Sequence, residues 1–293
     1  MAVGIWDLTE LETTLRRHVE TLAATPRNVE HYKALRRAER YIAGELEAAG
    51  YRIALQAYDA AGFRVANVEA ERRGTRRPDR IIVIGAHYDS IGLSPGANDN
   101  ASGVAAMLEL ARLHASVADA SATVRFVAFV NEEPPYFTTG EMGSLVYARR
   151  MTERGERAAA MISLETIGYY REESGSQRYP PPFDRVLPDR GNFIAMVSNF
   201  GSTRLLVTVA RAFRRASPLR VIASPAPESV PGVGWSDHWS FWQQGFPAVM
   251  LTDTAPYRYP HYHARTDTPD KLDYGRMAQV VVGVSAALSA LMR

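Results

Sequence analysis

From Ile81 onward the chain alternates short, almost continuously apolar runs with amphipathic stretches, and that alternation limits the architectures open to it. The apolar runs are Ile81–Ala86 (IIVIGA), TVRFVAFV, AAMISLE, NFIAMVSN and FPAVMLT. Between them lie ASGVAAMLELARLHA, GSLVYARRM and a segment after Thr203, all with apolar residues at helical spacing. Runs this apolar are strands buried on both faces, and strands alternating with helices build a largely parallel sheet with helices on either side. The expected fold is therefore α/β: a three-layer sandwich with a central, mostly parallel mixed β-sheet flanked by helices.

Two helices precede this pattern, Leu8 to about Ala24, ended by the Thr25-Pro26 step, and Val29 to Ala49, closed by Gly50. Alternating segments around Tyr51–Tyr58 and Val65–Glu71 read as strands. No repeat or linker interrupts the 293 residues, so a single domain over 1–293 is expected, with helices in residues 1–50 on the sheet. The proline-rich stretches Tyr179–Pro188 and Ser224–Pro231 read as surface loops near a site.

Composition narrows the chemistry. With 34 basic and 32 acidic side chains there is no block of positive charge to follow a phosphate backbone, so nucleic acid is not an expected partner. The absence of cysteine excludes disulfides, thiolate nucleophiles and sulfur-ligated metal, leaving His and carboxylate as the available ligands. The opening MAVGIWDLTELETTLRRHVETL lacks the basic, apolar and small-residue regions of a secretory leader, and a cytoplasmic location is the expectation. The apolar stretch Met277–Met292 contains Gln279 and two serines and reads as a core helix, not a membrane span. Oligomeric state leaves no trace in the pattern.

Polar residues follow directly on several of the strands: His87-Tyr88-Asp89, Asn131-Glu132-Glu133, Glu165 and Asp253. Carboxyl ends of strands in an open α/β sheet form the crevice where ligands bind, so these residues converge. Two adjacent carboxylates facing such a crevice repel one another unless a cation compensates them. Asp99 follows His87 by twelve positions at the mouth of a helix, with Asn100 a possible cap, and His261 or His263 brings a late imidazole.

These segments together resemble one family. GAHYDS at Gly85–Ser90, PGANDNASG at Pro95–Gly103, NEE at Asn131–Glu133, LETIG at Leu164–Gly168, SDHWSF at Ser236–Phe241 and YHARTDTPDKL at Tyr262–Leu272 are similar, in order, to the motifs of the M28 zinc aminopeptidases. The resemblance implies two zinc ions, with cobalt or manganese as substitutes. It gives the first zinc His87, Asp99 and Glu165, with Glu165 standing where most members have Asp. It gives the second Glu133 and His263, bridged by Asp99. Glu132 is then the general base, and a cis peptide is expected at Asp99-Asn100.

On this reading the chain hydrolyses N-terminal residues from a peptide substrate, using a metal-activated water and no covalent intermediate. Asp89 fixes the tautomer of His87, Tyr262 donates to a developing oxyanion, and Asp237 and His238 support the site or line a side-chain pocket. Tyr169, Tyr170, Trp235 and Phe241 suggest an apolar pocket. The alternatives are a glutaminyl-peptide cyclotransferase, a carboxypeptidase using Arg258 or Arg265, and a non-catalytic peptide-binding relative.

Overall fold

The computed structural model describes residues 7–116, 121–181 and 183–293. Residues 1–6, part of the stretch read for a leader, and Pro182 of the first proline-rich stretch lie outside the described residues. In chain order the elements are α1 (Leu8–Leu22), α2 (Tyr32–Ala48), β1 (Ile53–Ala60), β2 (Phe63–Arg72) and β3 (Arg77–His87). Next come α3 (Gly103–His114), β4 (Ala122–Phe129), α4 (Gly143–Glu153), β5 (Ala158–Glu165), β6 (Phe193–Ser198) and α5 (Thr203–Ala216). The chain finishes with β7 (Arg220–Pro225), α6 (His238–Gln243), β8 (Ala248–Thr252), α7 (Ala255–Arg258) and α8 (Tyr274–Leu291).

The strands form one sheet in the order β1-β2-β4-β3-β5-β8-β6-β7. Its centre, β4-β3-β5-β8, is parallel throughout, whereas β2 and β6 run against their inner neighbours β4 and β8. The period of two along the central strands separates two cores. Ile82, Ile84, Val124, Phe126, Ile162 and Leu164 face the layer of α1, α2, α3, α5 and α8. Ile81, Val83, Val127, Phe129 and Met161 face α4 and α6. Each of these side chains contributes about 1.5–3 kcal/mol when fully buried, which is why the central strands tolerate almost no polar residue before their ends.

Two details differ from the sequence expectation. The second proline-rich stretch is not wholly loop, because its first two residues finish β7, an edge strand paired only with β6. Half-buried and ending in proline, β7 lacks the apolar run that marks a central strand. The second helix begins with a 3₁₀ turn at Val29–His31 before continuing as α2. The last helix, α8, meets the length and hydropathy of a membrane span, yet 67% of it is buried among α1, α3 and α5, as a core helix would be.

Because the four central strands point the same way, the residues after His87, Phe129, Glu165 and Thr252 gather at one edge of the sheet. The turn Ala97–Ser102 enters this edge from the β3–α3 connection. It can approach because α3 opens on Gly103, where a Cβ would lie 2.3 Å from the Leu164 carbonyl oxygen.

Candidate metal centre

His87, the last residue of β3, is completely buried, with Nε2 3.2 Å from Asp99 Oδ1 and 3.2 Å from Glu165 Oε2. The other oxygen of Asp99, Oδ2, lies 3.2 Å from His263 Nε2, which is 3.4 Å from Glu133 Oε2. Two clusters of ligand atoms result, His87–Asp99–Glu165 and Asp99–Glu133–His263, each with its atoms within 4.8 Å of one another and both sharing Asp99. Glu132 Oε2 stands 3.7 Å from His87 Nε2, and Glu132 joins His87 and Glu133 in a third such grouping.

These groups fit divalent cations. Both ring nitrogens of His87 and Oε1 of Glu133 are buried without a hydrogen-bond partner, a costly state unless something binds there. The donors are imidazole nitrogen and carboxylate oxygen, which suit zinc. Electrostatics agree with that. Burial and the charges of Glu165, Asp237 and Asp99 push the pKa of Glu132 well above the ordinary carboxylate value, against His87. Burial, Asp99 and Glu132 do the same to Glu133, and burial raises Glu165 against the pull of His87. Burial opposes a charge on His87, but Glu132, Glu165, Asp89 and Asp99 outweigh it and hold the imidazole well above its ordinary value. Asp99 is likewise opposed by burial, yet the close imidazoles of His263 and His87 keep it below the normal range.

The surrounding chain holds the Asp99 turn and Glu165 in place. Asp267 accepts the backbone N–H groups of Asn98 at 2.8 Å and Asp99 at 3.1 Å, and the hydroxyl of Tyr259 at 2.8 Å. Asn100 accepts from the backbone of Gly103 and Thr166 and donates to the Leu164 carbonyl, so it both caps α3 and ties the turn to β5. The Asp99-Asn100 peptide is cis. Ser236 donates to Glu165 Oε2 at 2.8 Å. Asn131, Thr166 and His263 adopt left-handed φ values of 58°, 47° and 59°, conformations that cost a non-glycine residue about 1–3 kcal/mol and collect at functional sites.

Asp89 lies with Oδ1 3.5 Å from His87 Nδ1, where it was expected. Its carboxylate also accepts the backbone N–H groups of Glu132 and Glu133, both at 3.1 Å, so it orients the paired acids as well as the imidazole. Tyr262 stacks on His263 with ring centroids 3.8 Å apart. Of the two late histidines, His263 joins the cluster, while His261 is turned to Thr266 Oγ1 at 2.8 Å.

Other residues take different places. Asp253 does not join the cluster; its carboxylate accepts from Asn98 Nδ2 and from the backbone of Tyr169. His238 donates to the Val233 carbonyl and packs on Trp242, and Asp237 is buried with neither oxygen hydrogen-bonded. Arg258 is buried as a brace, donating to Gln177 and to the carbonyls of Tyr169 and Phe193, and Arg265 is exposed. Three residues escaped the sequence reading. Asp267 and Ser236 sit inside quoted motifs with nothing to set them apart from loop residues, and Arg27 carries no sequence signal at all.

Beside Glu165 and Tyr262 opens an apolar cavity of about 350 Å³ between β6, β7, β8 and the segment 179–187. Phe193, Met196, Val233, Met250 and Trp235 help to line it, and among the described residues no Lys or Arg does. Of the four aromatics singled out from sequence, only Trp235 reaches it; Tyr169, Tyr170 and Phe241 are buried elsewhere.

An α/β sheet whose strand ends assemble His and carboxylate side chains around a shared aspartate defines a metal-dependent hydrolase. The chain belongs to peptidase family M28, whose model matches residues 67–288. It is 41% identical over 289 residues to YfbL of Escherichia coli K12, named only as an uncharacterized protein, a match covering 95% of this chain and 87% of that one. Among solved structures it resembles BSAP, a zinc aminopeptidase from Bacillus subtilis, with a TM-score of 0.74 at 16% identity over 96% of this chain and 95% of that one. It resembles a glutaminyl cyclase of Fimbriiglobus ruber equally, with a TM-score of 0.74 at 19% identity over 95% of both chains. At these identities the two structures attest the fold.

Proposed function

We propose that the protein is a dinuclear zinc aminopeptidase that removes large apolar residues from the N-terminus of peptides. The observation that carries this reading is the divided Asp99 carboxylate, one oxygen 3.2 Å from His87 and the other 3.2 Å from His263. His87, Asp99 and Glu165 would hold one ion, and Asp99, Glu133 and His263 the other. Bound ions would acidify a water and polarise the scissile carbonyl.

The chain's own residues supply the rest. Glu132 carries no structural hydrogen bond to its side chain in the described residues and borders His87, which suits a group that takes a proton from water and passes it to the leaving amine. Asp89 anchors the backbone N–H groups of Glu132 and Glu133, which steadies the loop that carries both acids. Tyr262, which stacks on His263 and lines the cavity, would donate to a developing oxyanion.

The cavity supports the substrate assignment. Its walls offer apolar side chains a place to bury and, among the described residues, offer a substrate carboxylate no Lys or Arg. This favours a free N-terminus over a free C-terminus, and Arg258, braced on backbone carbonyls, is not available to reverse that. Two complete ligand groups around Asp99 favour hydrolysis over glutaminyl cyclisation.

The test is hydrolysis of leucyl-, phenylalanyl- and alanyl-anilides, their N-acetyl forms, C-terminally free blocked peptides and N-terminal Gln peptides, with metal content measured. Cleavage of free-amine apolar substrates with about two zinc ions per chain is expected. Turnover confined to blocked or to Gln substrates would replace the assignment.

A further inference from the structure

Arg27 lies in the connection between α1 and α2, far in sequence from every residue of the metal centre, and its side chain is 1% exposed. The guanidinium makes no direct ion pair there. Its Nε donates to the Tyr88 carbonyl at 2.7 Å, Nη2 to the Gly96 carbonyl at 2.7 Å, and Nη1 to the carbonyls of Pro95 and, at 3.3 Å, Leu22. The Arg27 backbone adds two more ties, its N–H to Ser90 Oγ at 3.1 Å and its carbonyl to the Ser90 N–H at 2.9 Å.

All but one of these partners belong to the segment between His87 and Asp99. Tyr88 and Ser90 follow the first ligand; Pro95 and Gly96 precede the second. Gly96 is in the left-handed region at φ 65°, and a Cβ there would lie 2.4 Å from the Asp99 carbonyl oxygen and 3.1 Å from Arg27 Nη2. The two ends of the segment are thus held by one planar fork.

A buried guanidinium is expensive to desolvate, and neutral carbonyls return only part of that cost. The balance comes through space from Asp267, Asp89, Asp99 and Glu133. Burial lowers the pKa of Arg27 only to about 10, so the charge persists at neutral pH.

We propose that Arg27 is a positioning residue for the metal centre: its fork, on the carbonyls of Tyr88, Pro95 and Gly96, sets the separation of His87 and Asp99. This rests on the reading of that cluster as a metal site. Arg27 touches neither substrate nor ligand atoms, so its removal acts on how tightly and in what geometry cations are held.

The experiment is zinc affinity by chelator competition on the full chain, for the parent, Arg27→Lys, Arg27→Gln, Ser90→Ala and Arg125→Lys, with melting temperature and kcat and KM alongside. Arg125 is the control, a buried arginine paired with Glu71 and Glu156 and borne on the strand that leads to the Glu132 loop. Arg27→Lys keeps the charge and loses the fork, Arg27→Gln loses both, and each is expected to weaken zinc binding by about 10-fold through the lost fork. KM stays at the parent value, and raising zinc restores activity. Arg125→Lys lowers the melting temperature and leaves zinc affinity alone.

If both Arg27 variants fold and bind zinc within about 2-fold of the parent, against the roughly 10-fold loss expected, the proposal is wrong. An equal loss in Arg125→Lys also overturns it, since the effect would then be general destabilisation. Should neither Arg27 variant fold, Ser90→Ala decides: weaker zinc binding supports the proposal and unchanged binding ends it. A parent chain that binds no zinc overturns the metal centre itself, an outcome distinct from all of these.

Discussion

Asp89 Oδ1 accepts the backbone N–H of Glu132 at 3.1 Å, so the acid that follows β3 anchors the backbone of the acid that follows β4. Replacing Asp89 by Asn leaves one acceptor oxygen where two are used and turns an NH₂ group towards an N–H or towards His87. Asp89→Asn is expected to lower kcat by about 10- to 100-fold with a smaller change in KM, measured on a leucyl-anilide at saturating zinc. An unchanged kcat would reduce Asp89 to a turn residue.

Glu132→Gln preserves size and removes proton acceptance. Turnover is expected to fall by about 10²- to 10⁴-fold while zinc content, measured by elemental analysis, stays at the parent level. Loss of zinc in parallel with activity would instead make Glu132 a ligand, as its grouping with His87 and Glu133 permits.

Chelation leaves Asp99, Glu132, Glu133 and Glu165 facing one another at low exposure. Withdrawing zinc from about 100 times its dissociation constant is expected to cost on the order of 3 kcal/mol of stability, read as a drop in melting temperature that zinc reverses. A melting temperature indifferent to chelator would contradict a resident metal.

The cavity predicts a change of preference on filling. Ala195 lines it from β6, and Ala195→Phe is expected to raise KM for phenylalanyl-anilide by about 10-fold or more while alanyl-anilide is much less affected. An equal effect on both substrates would mean that the side chain binds elsewhere.

Away from the site, His114 Nε2 meets Ser285 Oγ at 2.9 Å, joining α3 to α8. Burial, aided by the charge of Arg72, lowers its pKa from 6.5 to about 4. The unfolded chain therefore binds this proton first as pH falls, and stability is lost between pH 6.5 and 4, by up to about 3 kcal/mol at 1.36 kcal/mol per unit. Denaturant titrations should show the stability gap between the parent and His114→Gln narrowing over that interval. A gap independent of pH would show that His114 titrates normally.

Much of this was legible in the sequence for a physical reason. Strands buried on both faces must be largely apolar, so β3, β4, β5 and β8 stand out, and a polar residue directly after such a run is a buried polar group that needs a partner. His87, Glu132, Glu133 and Glu165 are all found that way. Edge strands obey no such rule, which is why β7 read partly as loop. Asp253 met the same criterion as Glu165 yet ties down Asn98 and Tyr169, because position at a strand end does not determine which way a side chain turns. Arg27 and Arg258 hold backbone carbonyls, and a carbonyl is the same whatever residue bears it, so no pattern of side chains announces them.

The wall of the cavity comes largely from β6, β7, β8 and the segment 179–187, while most of the ligands come from the connections after β3 and β4 and the loop before α8. Only Glu165 and Tyr262 belong to both. A substitution in that wall can therefore reshape the space beside the metal cluster while leaving most of the cluster's own side chains where they are.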